Sequence, residues 1–387
     1  DIAQIYIELG LIDRAEKLLT KIIDKQPSLS VAKLMLAEIY TDEQKDDEAI
    51  LLLNEIRETD PYYLQALLQL ADVYQAQGLN EVALSKMLEA KNIDPNEPII
   101  DLALGELTFA LGDYQRASIY FHKLSHDPDF RDDKNILSKL AESYGLIGDF
   151  ENALLFYERL DSDNPDTLFR YGFIAYKLER YELAVQIWEQ VKEEAFEYTS
   201  LYQYLADAYE QTGQEDLAFQ TLEEGMQVDT LNKELYLEAA KLALKLNHFD
   251  KSIKYANQSL SLDNEYEDAI LFLVETYKKQ GDTDALIDLL THQTDIEVLN
   301  GIFEWELAKT LAEEEVFDQA LNHYQNAYNK LKHDSEFLKE YGYFLLEEGR
   351  KEEATSILRS YIKLEPADFS VAELLQRIIE DDEVISD

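Results

Sequence analysis

Prolines recur in the first part of the chain at a fixed distance, and this spacing constrains the fold more than any other feature. Pro27, Pro61 and Pro95 are each 34 residues apart. A fixed period of about 20 to 50 residues is the signature of a repeat array, in which each copy buries its apolar face against its neighbours. The spacing therefore predicts a stack of similar units rather than one compact core.

One register position carries the repeat through the whole chain, and it is almost always occupied by a small residue. Its members are Ala15, Ala49, Ala83, Ala117, Ala153, Ala184, Ala218, Ser252, Leu286, Ala320 and Ala354. Successive members are 34 residues apart, except for 36 residues between Ala117 and Ala153 and 31 between Ala153 and Ala184. Leu286 breaks the small-residue rule, and Ala285 beside it is the alternative. The pattern predicts eleven copies, the first of them incomplete.

Each copy has the pattern of two helices joined by a tight turn. Apolar residues recur at intervals of three and four, which is the period of a helix with one buried face. Small residues in both helices allow the two backbones to approach closely. Between the helices, glycine is predicted to take the positive φ of a helix C-cap. These glycines are Gly10, Gly78, Gly112, Gly148, Gly213, Gly281 and Gly349.

The spacing and residue types resemble the tetratricopeptide repeat (TPR) family, over nearly the whole chain. The resemblance implies an all-α, right-handed superhelical solenoid of about eleven helix-turn-helix repeats plus a C-terminal capping helix. It further implies that the first helix of each pair lines a concave groove. We expect one solenoid over residues 1–387, with a partial first repeat (1–29), repeats (30–368), a capping helix (369–380) and an acidic tail (381–387). The acidic, cysteine-free, tyrosine-rich composition also resembles multi-TPR proteins of Gram-positive bacteria.

The charge balance restricts the class of partner. The chain has 80 acidic against 35 basic residues, for a formal net charge of −45. Such a charge disfavours nucleic acid and anionic membranes, because both are bound through basic surfaces. A protein or peptide partner of basic character is the natural complement. The absence of cysteine excludes disulfides and fits a cytoplasmic location. The oligomeric state stays open.

The sequence contains no motif that indicates catalysis or a cofactor. It lacks the glycine-rich phosphate loops, the H-E-x-x-H pair and the G-x-S-x-G elbow. His122 and His126 are four residues apart on a predicted helix, which could place two metal ligands on one face. The simpler interpretation, surface histidines near a helix end, is preferred. We therefore expect no catalytic residue, no cofactor and no metal.

The ninth residue of each first helix is predicted to face the groove. In four consecutive repeats this residue is acidic, and the row is Glu38, Asp72, Glu106 and Glu142. Such a row would focus negative potential on a bound segment and so favour a basic peptide. The alternative is that the row merely reflects the acidic composition of the chain.

Aromatic and basic residues follow this row on predicted inner positions. The aromatic candidates for partner binding are Phe169, Phe173, Tyr176 and Tyr204. They could anchor partner side chains, or they could pack against each other and neighbouring helices. The basic residues are Lys241, Lys245, Lys278, Lys279 and Lys309. These lysines could form a second contact zone or could neutralise nearby carboxylates.

These features together predict a non-catalytic scaffold or adaptor that binds a partner segment in an acidic groove. Two alternatives come from other classes. The chain could be a peptide-sensing regulatory module, or an accessory part of an enzyme or transcription regulator whose effector domain is absent from these residues.

Overall fold

The computed structural model describes residues 2–293 and 300–386, which form 23 α-helices and no strand. The helices pair as eleven consecutive hairpins followed by one last helix, so the predicted all-α repeat architecture is confirmed. The chain divides into two compact units, residues 1–201 and 202–387. Asp1 and Asp387, the ends of the predicted solenoid, lie outside the described residues.

The first unit contains six hairpins. Their helices are α1 (Ile2–Glu8), α2 (Ile12–Lys25), α3 (Ser30–Asp42), α4 (Asp46–Asn54), α5 (Tyr63–Ala76), α6 (Asn80–Ile93), α7 (Pro98–Ala110), α8 (Tyr114–Leu124), α9 (Lys134–Leu146), α10 (Phe150–Leu160), α11 (Pro165–Lys177) and α12 (Tyr181–Glu194). From α1 to α12, each of these helices contacts its neighbour along the chain. The division between the units falls within α13 (Thr199–Gln211), after Leu201.

The second unit continues the same alternation. Its further helices are α14 (Glu215–Val228), α15 (Lys233–Lys245), α16 (Phe249–Leu262), α17 (Glu267–Gln280), α18 (Thr283–Gln293), α19 (Asn300–Glu313), α20 (Phe317–Leu331), α21 (Ser335–Glu347), α22 (Lys351–Leu364) and α23 (Phe369–Ser386). The last helix packs on α22 and runs beyond the predicted boundary at residue 380. No glycine or proline follows that boundary to end it.

The small-residue position lies where the two helices of a hairpin meet. All nine alanines at this position have no exposed surface, and Ser252 is equally buried. The Ser252 hydroxyl donates a hydrogen bond to the Ala240 carbonyl oxygen at 2.8 Å, so its polar group is satisfied. Leu286 occupies the position itself and is 3% exposed, whereas Ala285 beside it is only half-buried. The repeat register is therefore kept even where the residue is large.

The turns between paired helices share one backbone conformation. All seven predicted turn glycines have φ between 69° and 82°. In four repeats without a turn glycine, Gln44, Glu179, Asn247 and Glu315 take φ between 58° and 63° at the same place. The turn geometry is thus a property of the repeat, and glycine only makes it less costly.

Candidate functional site

In the first unit, the first helices of neighbouring repeats are linked one to the next. Contacts join α3 to α5 and α9 to α11, a Glu106–Lys139 salt bridge joins α7 to α9, and buried side chains of α5 and α7 belong to one hydrophobic cluster. We call the surface made by α3, α5, α7, α9 and α11 the first-helix wall. The four acidic ninth residues lie one on each of α3, α5, α7 and α9.

Two of these carboxylates, Glu38 and Asp72, are exposed and have no salt-bridge partner among the described residues. Desolvation raises the pKa of the Asp72 carboxyl above its ordinary value. Exposure and desolvation are compatible where a side chain reaches solvent on one side and has protein atoms on the others. A partly desolvated carboxylate without a cation costs stability, and such groups concentrate at functional sites.

The other two carboxylates of the row are neutralised within the wall. Glu106 forms its salt bridge with Lys139, and Glu142 accepts from Arg170 of α11 at 2.5 Å. Both cations are the sixth residue of the following first helix. The predicted row of four therefore splits into a free half, Glu38 and Asp72, and a paired half.

The pKa of Asp72 leads to a prediction about stability. Because its pKa is raised in the folded state, the ionised carboxylate destabilises the fold at neutral pH, and protonation on lowering the pH removes that cost. Asp72→Asn is expected to raise the urea midpoint of unfolding at pH 7. The gain over the unmodified chain should shrink as the pH falls towards the raised pKa. A variant less stable than the unmodified chain at pH 7 would contradict the desolvation argument.

The aromatic candidates of the first unit lie on one face of α11, and two of them are engaged in packing. The ring of Phe169 is 6.0 Å from that of Trp188 and 4.9 Å from that of Tyr198. Tyr176 also contacts Trp188, at 5.9 Å between ring centroids. Phe173 is half-buried, with the Lys177 ammonium 5.1 Å from its ring centroid. These contacts support the packing alternative for Phe169 and Tyr176.

The candidates in the second unit are less uniform. Tyr204 is 37% exposed. Every lysine proposed for a second contact zone has a carboxylate within 4 Å. The pairs are Lys241–Glu238, Lys245–Glu210, Lys245–Glu215, Lys278–Glu306, Lys279–Glu275 and Lys309–Glu306. Lys278 and Lys309 together lower the pKa of Glu306 against the opposing effect of its burial. The geometry of these lysines therefore supports the second alternative, in which they neutralise nearby carboxylates.

Three buried charged residues were not predicted from the sequence. Lys33, Asp101 and Glu304 are 5%, 1% and 6% exposed. Lys33 donates to Glu55 at 2.7 Å, Asp101 lies between two lysines, and Glu304 contacts His323 at 2.6 Å. All three occupy the same register position of their first helices, where the other repeats have an apolar or aromatic residue. A charge at an otherwise apolar register position was the signal that could have identified them.

The two histidines considered as metal ligands are engaged otherwise. His122 Nδ1 is 2.9 Å from the Tyr144 hydroxyl, and His126 Nδ1 is 2.9 Å from the His122 carbonyl oxygen. Burial, with a smaller contribution from His126, lowers the pKa of His122. Within the described residues, no three His, Asp or Glu side chains are grouped as metal binding requires. In the same part of the chain, no helix is both long and apolar enough to cross a membrane.

Comparison with family models assigns several segments of the chain to tetratricopeptide repeats. Residues 75–127 match the model described as YpiA-like, tetratricopeptide repeats, and residues 302–368 match YpiA-like, C-terminal tetratricopeptide repeats. Residues 1–63 and 233–266 match two general tetratricopeptide repeat models. The matched segments lie in both compact units.

Among solved structures, the chain is similar to Naa15/Naa10 bound to HypK-THB, with a TM-score of 0.48, 16% identity, and coverage of 97% of this chain and 64% of that one. It is also similar to the C-terminal part of a TPR repeat-containing protein from Cytophaga hutchinsonii, with a TM-score of 0.46, 15% identity, and coverage of 70% and 97%. At these scores the likeness says nothing about what this chain binds.

A curated relative is much more similar in sequence. The TPR repeat-containing protein YpiA of Bacillus subtilis (strain 168) is 37% identical over 285 residues, which cover 73% of this chain and 67% of that protein. This relative agrees with the predicted resemblance to TPR proteins of Gram-positive bacteria. With its eleven helical hairpins, its repeat register and this relative, the chain belongs to the YpiA-like tetratricopeptide repeat proteins.

Proposed function

We propose that the chain is a non-catalytic scaffold that binds a basic segment of a partner protein along the first-helix wall. The observation that carries the proposal is Asp72, a desolvated carboxylate on this wall with no cation within 4 Å among the described residues. A cationic side chain from a partner would supply the missing charge. Glu38 offers a second acceptor on the preceding first helix.

The electrostatics of the wall favour binding at its N-terminal half. Glu106 and Glu142 already have cationic neighbours, so a partner would have to displace Lys139 or Arg170 to contact them directly. Glu38 and Asp72 require no such displacement. A lysine or arginine of the partner therefore gains most beside these two residues, while the rest of the row contributes to the longer-range field.

We further propose that Phe173 extends the site towards the C-terminal end of the wall. It is the ninth residue of its first helix, the same register as Asp72, and it is only half-buried. Its neighbour Lys177 lies over the ring, so an aliphatic or aromatic side chain of the partner would pack beside a cation–π pair. The partner segment is thus expected to place basic residues against the N-terminal half of the wall and an apolar anchor against its C-terminal end.

Binding to a labelled peptide of alternating lysine and leucine tests the charge requirement. We expect Glu38→Gln with Asp72→Asn to weaken binding about tenfold, because two acceptors for cationic side chains are lost. Fluorescence anisotropy at low and at high salt measures the effect, and binding of the unmodified chain should weaken with salt.

The matched control removes the same charge elsewhere. Glu48→Gln with Glu158→Gln changes two exposed carboxylates on α4 and α10, which are second helices. This variant should bind the peptide within about twofold of the unmodified chain, since exposed distant charges are screened. If both variants lost peptide affinity equally, binding would depend only on the overall negative charge. The first-helix wall would then not be the binding surface.

A further inference from the structure

Helix α2 presents a row of basic side chains in a chain that is otherwise strongly acidic. Arg14, Lys17, Lys21 and Lys25 follow one another at intervals of three, four and four residues. At 100° per residue these positions fall within about 80° of one helix face. All four side chains are exposed. We call them the α2 basic stripe.

The α2 basic stripe is not neutralised by the chain itself. Among the residues that the structure describes, no carboxylate lies within 4 Å of any of its four cations. Of the acidic residues on the same helix, Glu16 lies on the opposite side and reaches Lys45 at 3.8 Å. In a chain with 80 acidic residues, most cations inside the repeats have acidic neighbours, and four adjacent cations without one form a distinct surface.

The two edges of the stripe differ. Leu11, Leu18 and Ile22 follow it on one side, the first exposed and the other two half-buried. Asp13 and Asp24 border it on the other side. The stripe is about 16 Å long, since eleven residues separate its ends at about 1.5 Å per residue. It therefore has the shape of a narrow strip with one apolar border.

We propose that the α2 basic stripe is a second interaction surface, which binds an acidic amphipathic segment of a protein. Carboxylates of the partner would pair with the four cations, and apolar side chains would contact Leu11, Leu18 and Ile22. A narrow ligand of this kind avoids Asp13 and Asp24. A flat anionic bilayer would have to approach those carboxylates as well as the acidic remainder of the chain, so the geometry favours a protein segment over a lipid surface.

The proposal is tested with a labelled helical peptide of about 15 residues that has glutamates at the spacing of the stripe and leucines along one flank. The test variant is R14E/K17E/K21E/K25E. The matched control reverses four exposed cations of the second unit, K254E/K332E/K351E/R359E, and so changes the net charge equally. Circular dichroism checks that both variants keep their helices.

We expect the stripe variant to bind the peptide at least about tenfold more weakly than the unmodified chain, and the control variant to bind within about threefold of it. Equal weakening in both variants would make the effect one of net charge and overturn the proposal. So would absence of peptide binding at low salt, or binding only to phosphatidylglycerol vesicles. Sedimentation of the chain alone as an oligomer that the stripe variant dissociates would identify a second copy as the occupant instead.

Discussion

Replacing Asp101 by asparagine is expected to lower the free energy of unfolding of the first unit by about 3 kcal/mol, the cost of removing one member of a buried ion pair. Asp101 is 1% exposed and lies between Lys91 of α6 and Lys123 of α8. It therefore joins three consecutive helices. The substitution leaves the buried ammonium of Lys91 without its counter-charge. Urea unfolding followed by circular dichroism measures the loss.

Two control variants distinguish the effect of the buried Asp101 carboxylate from that of surface charge. Lys123→Met should cost less than about 1 kcal/mol, because the Lys123 side chain is 51% exposed and Lys91 still neutralises the carboxylate. Asp129→Asn changes an exposed carboxylate nearby and should be neutral within about 0.5 kcal/mol. If Asp101→Asn were no more destabilising than Asp129→Asn, the buried carboxylate would not hold the three helices together.

Replacing Gly172 by alanine is expected to destabilise the first unit by about 2 kcal/mol through overpacking. An added Cβ would lie 2.3 Å from Nε1 of Trp188. The indole cannot easily move, because Trp188 is fully buried and its Nε1 donates a hydrogen bond to the Phe169 carbonyl oxygen at 3.1 Å. Thermal unfolding should show a lower midpoint, with a change in tryptophan fluorescence.

The same substitution at Gly145 is the matched control. Its added Cβ would lie 3.1 Å from the Cδ1 atom at the flexible end of Ile174. Rotation of that side chain relieves the contact, and alanine favours the helix by up to about 1 kcal/mol over glycine. Gly145→Ala is therefore expected to be neutral or stabilising. If both substitutions destabilised the unit equally, contact with the Trp188 indole would not explain the loss at Gly172.

The repeat architecture could be predicted from the sequence because it depends on a period. The small residues recur in register and proved to be buried, and the turn glycines proved to have positive φ. Each feature is enforced again in every repeat, so a single exception such as Leu286 does not disturb the pattern. Local chemistry and packing agree, which is the condition under which sequence specifies structure.

The state of individual side chains could not be predicted in the same way. Glu38 and Glu106 hold the same register, yet among the described residues a cation lies beside Glu106 and none lies within 4 Å of Glu38. The difference comes from the next repeat, where the register position that holds Lys139 after Glu106 holds Gln69 after Glu38. Comparing ninth residues with the sixth residues of following repeats would have exposed the pairing.

The aromatic residues show a second limit of the sequence. Phe169 and Tyr176 occupy positions predicted to face a partner, but the large Trp188 ring of the following helix contacts both. Periodicity specifies the face of a helix, whereas the reach of a neighbouring indole depends on packing in three dimensions. Phe173, one turn from each, is half-buried like Phe169 and Tyr176, and the Lys177 ammonium lies over its ring.

The central claim is that the partner lies on the first-helix wall, and site-specific crosslinking tests it most directly. Because the chain has no cysteine, a single cysteine can carry a photocrosslinker at either of two exposed positions. Gln75 lies one turn from Asp72 on α5, and Ser85 lies on the second helix α6. With the lysine–leucine peptide bound, we predict crosslinks from position 75 and not from position 85. Crosslinking from position 85 alone would place the partner on the second helices and contradict the account.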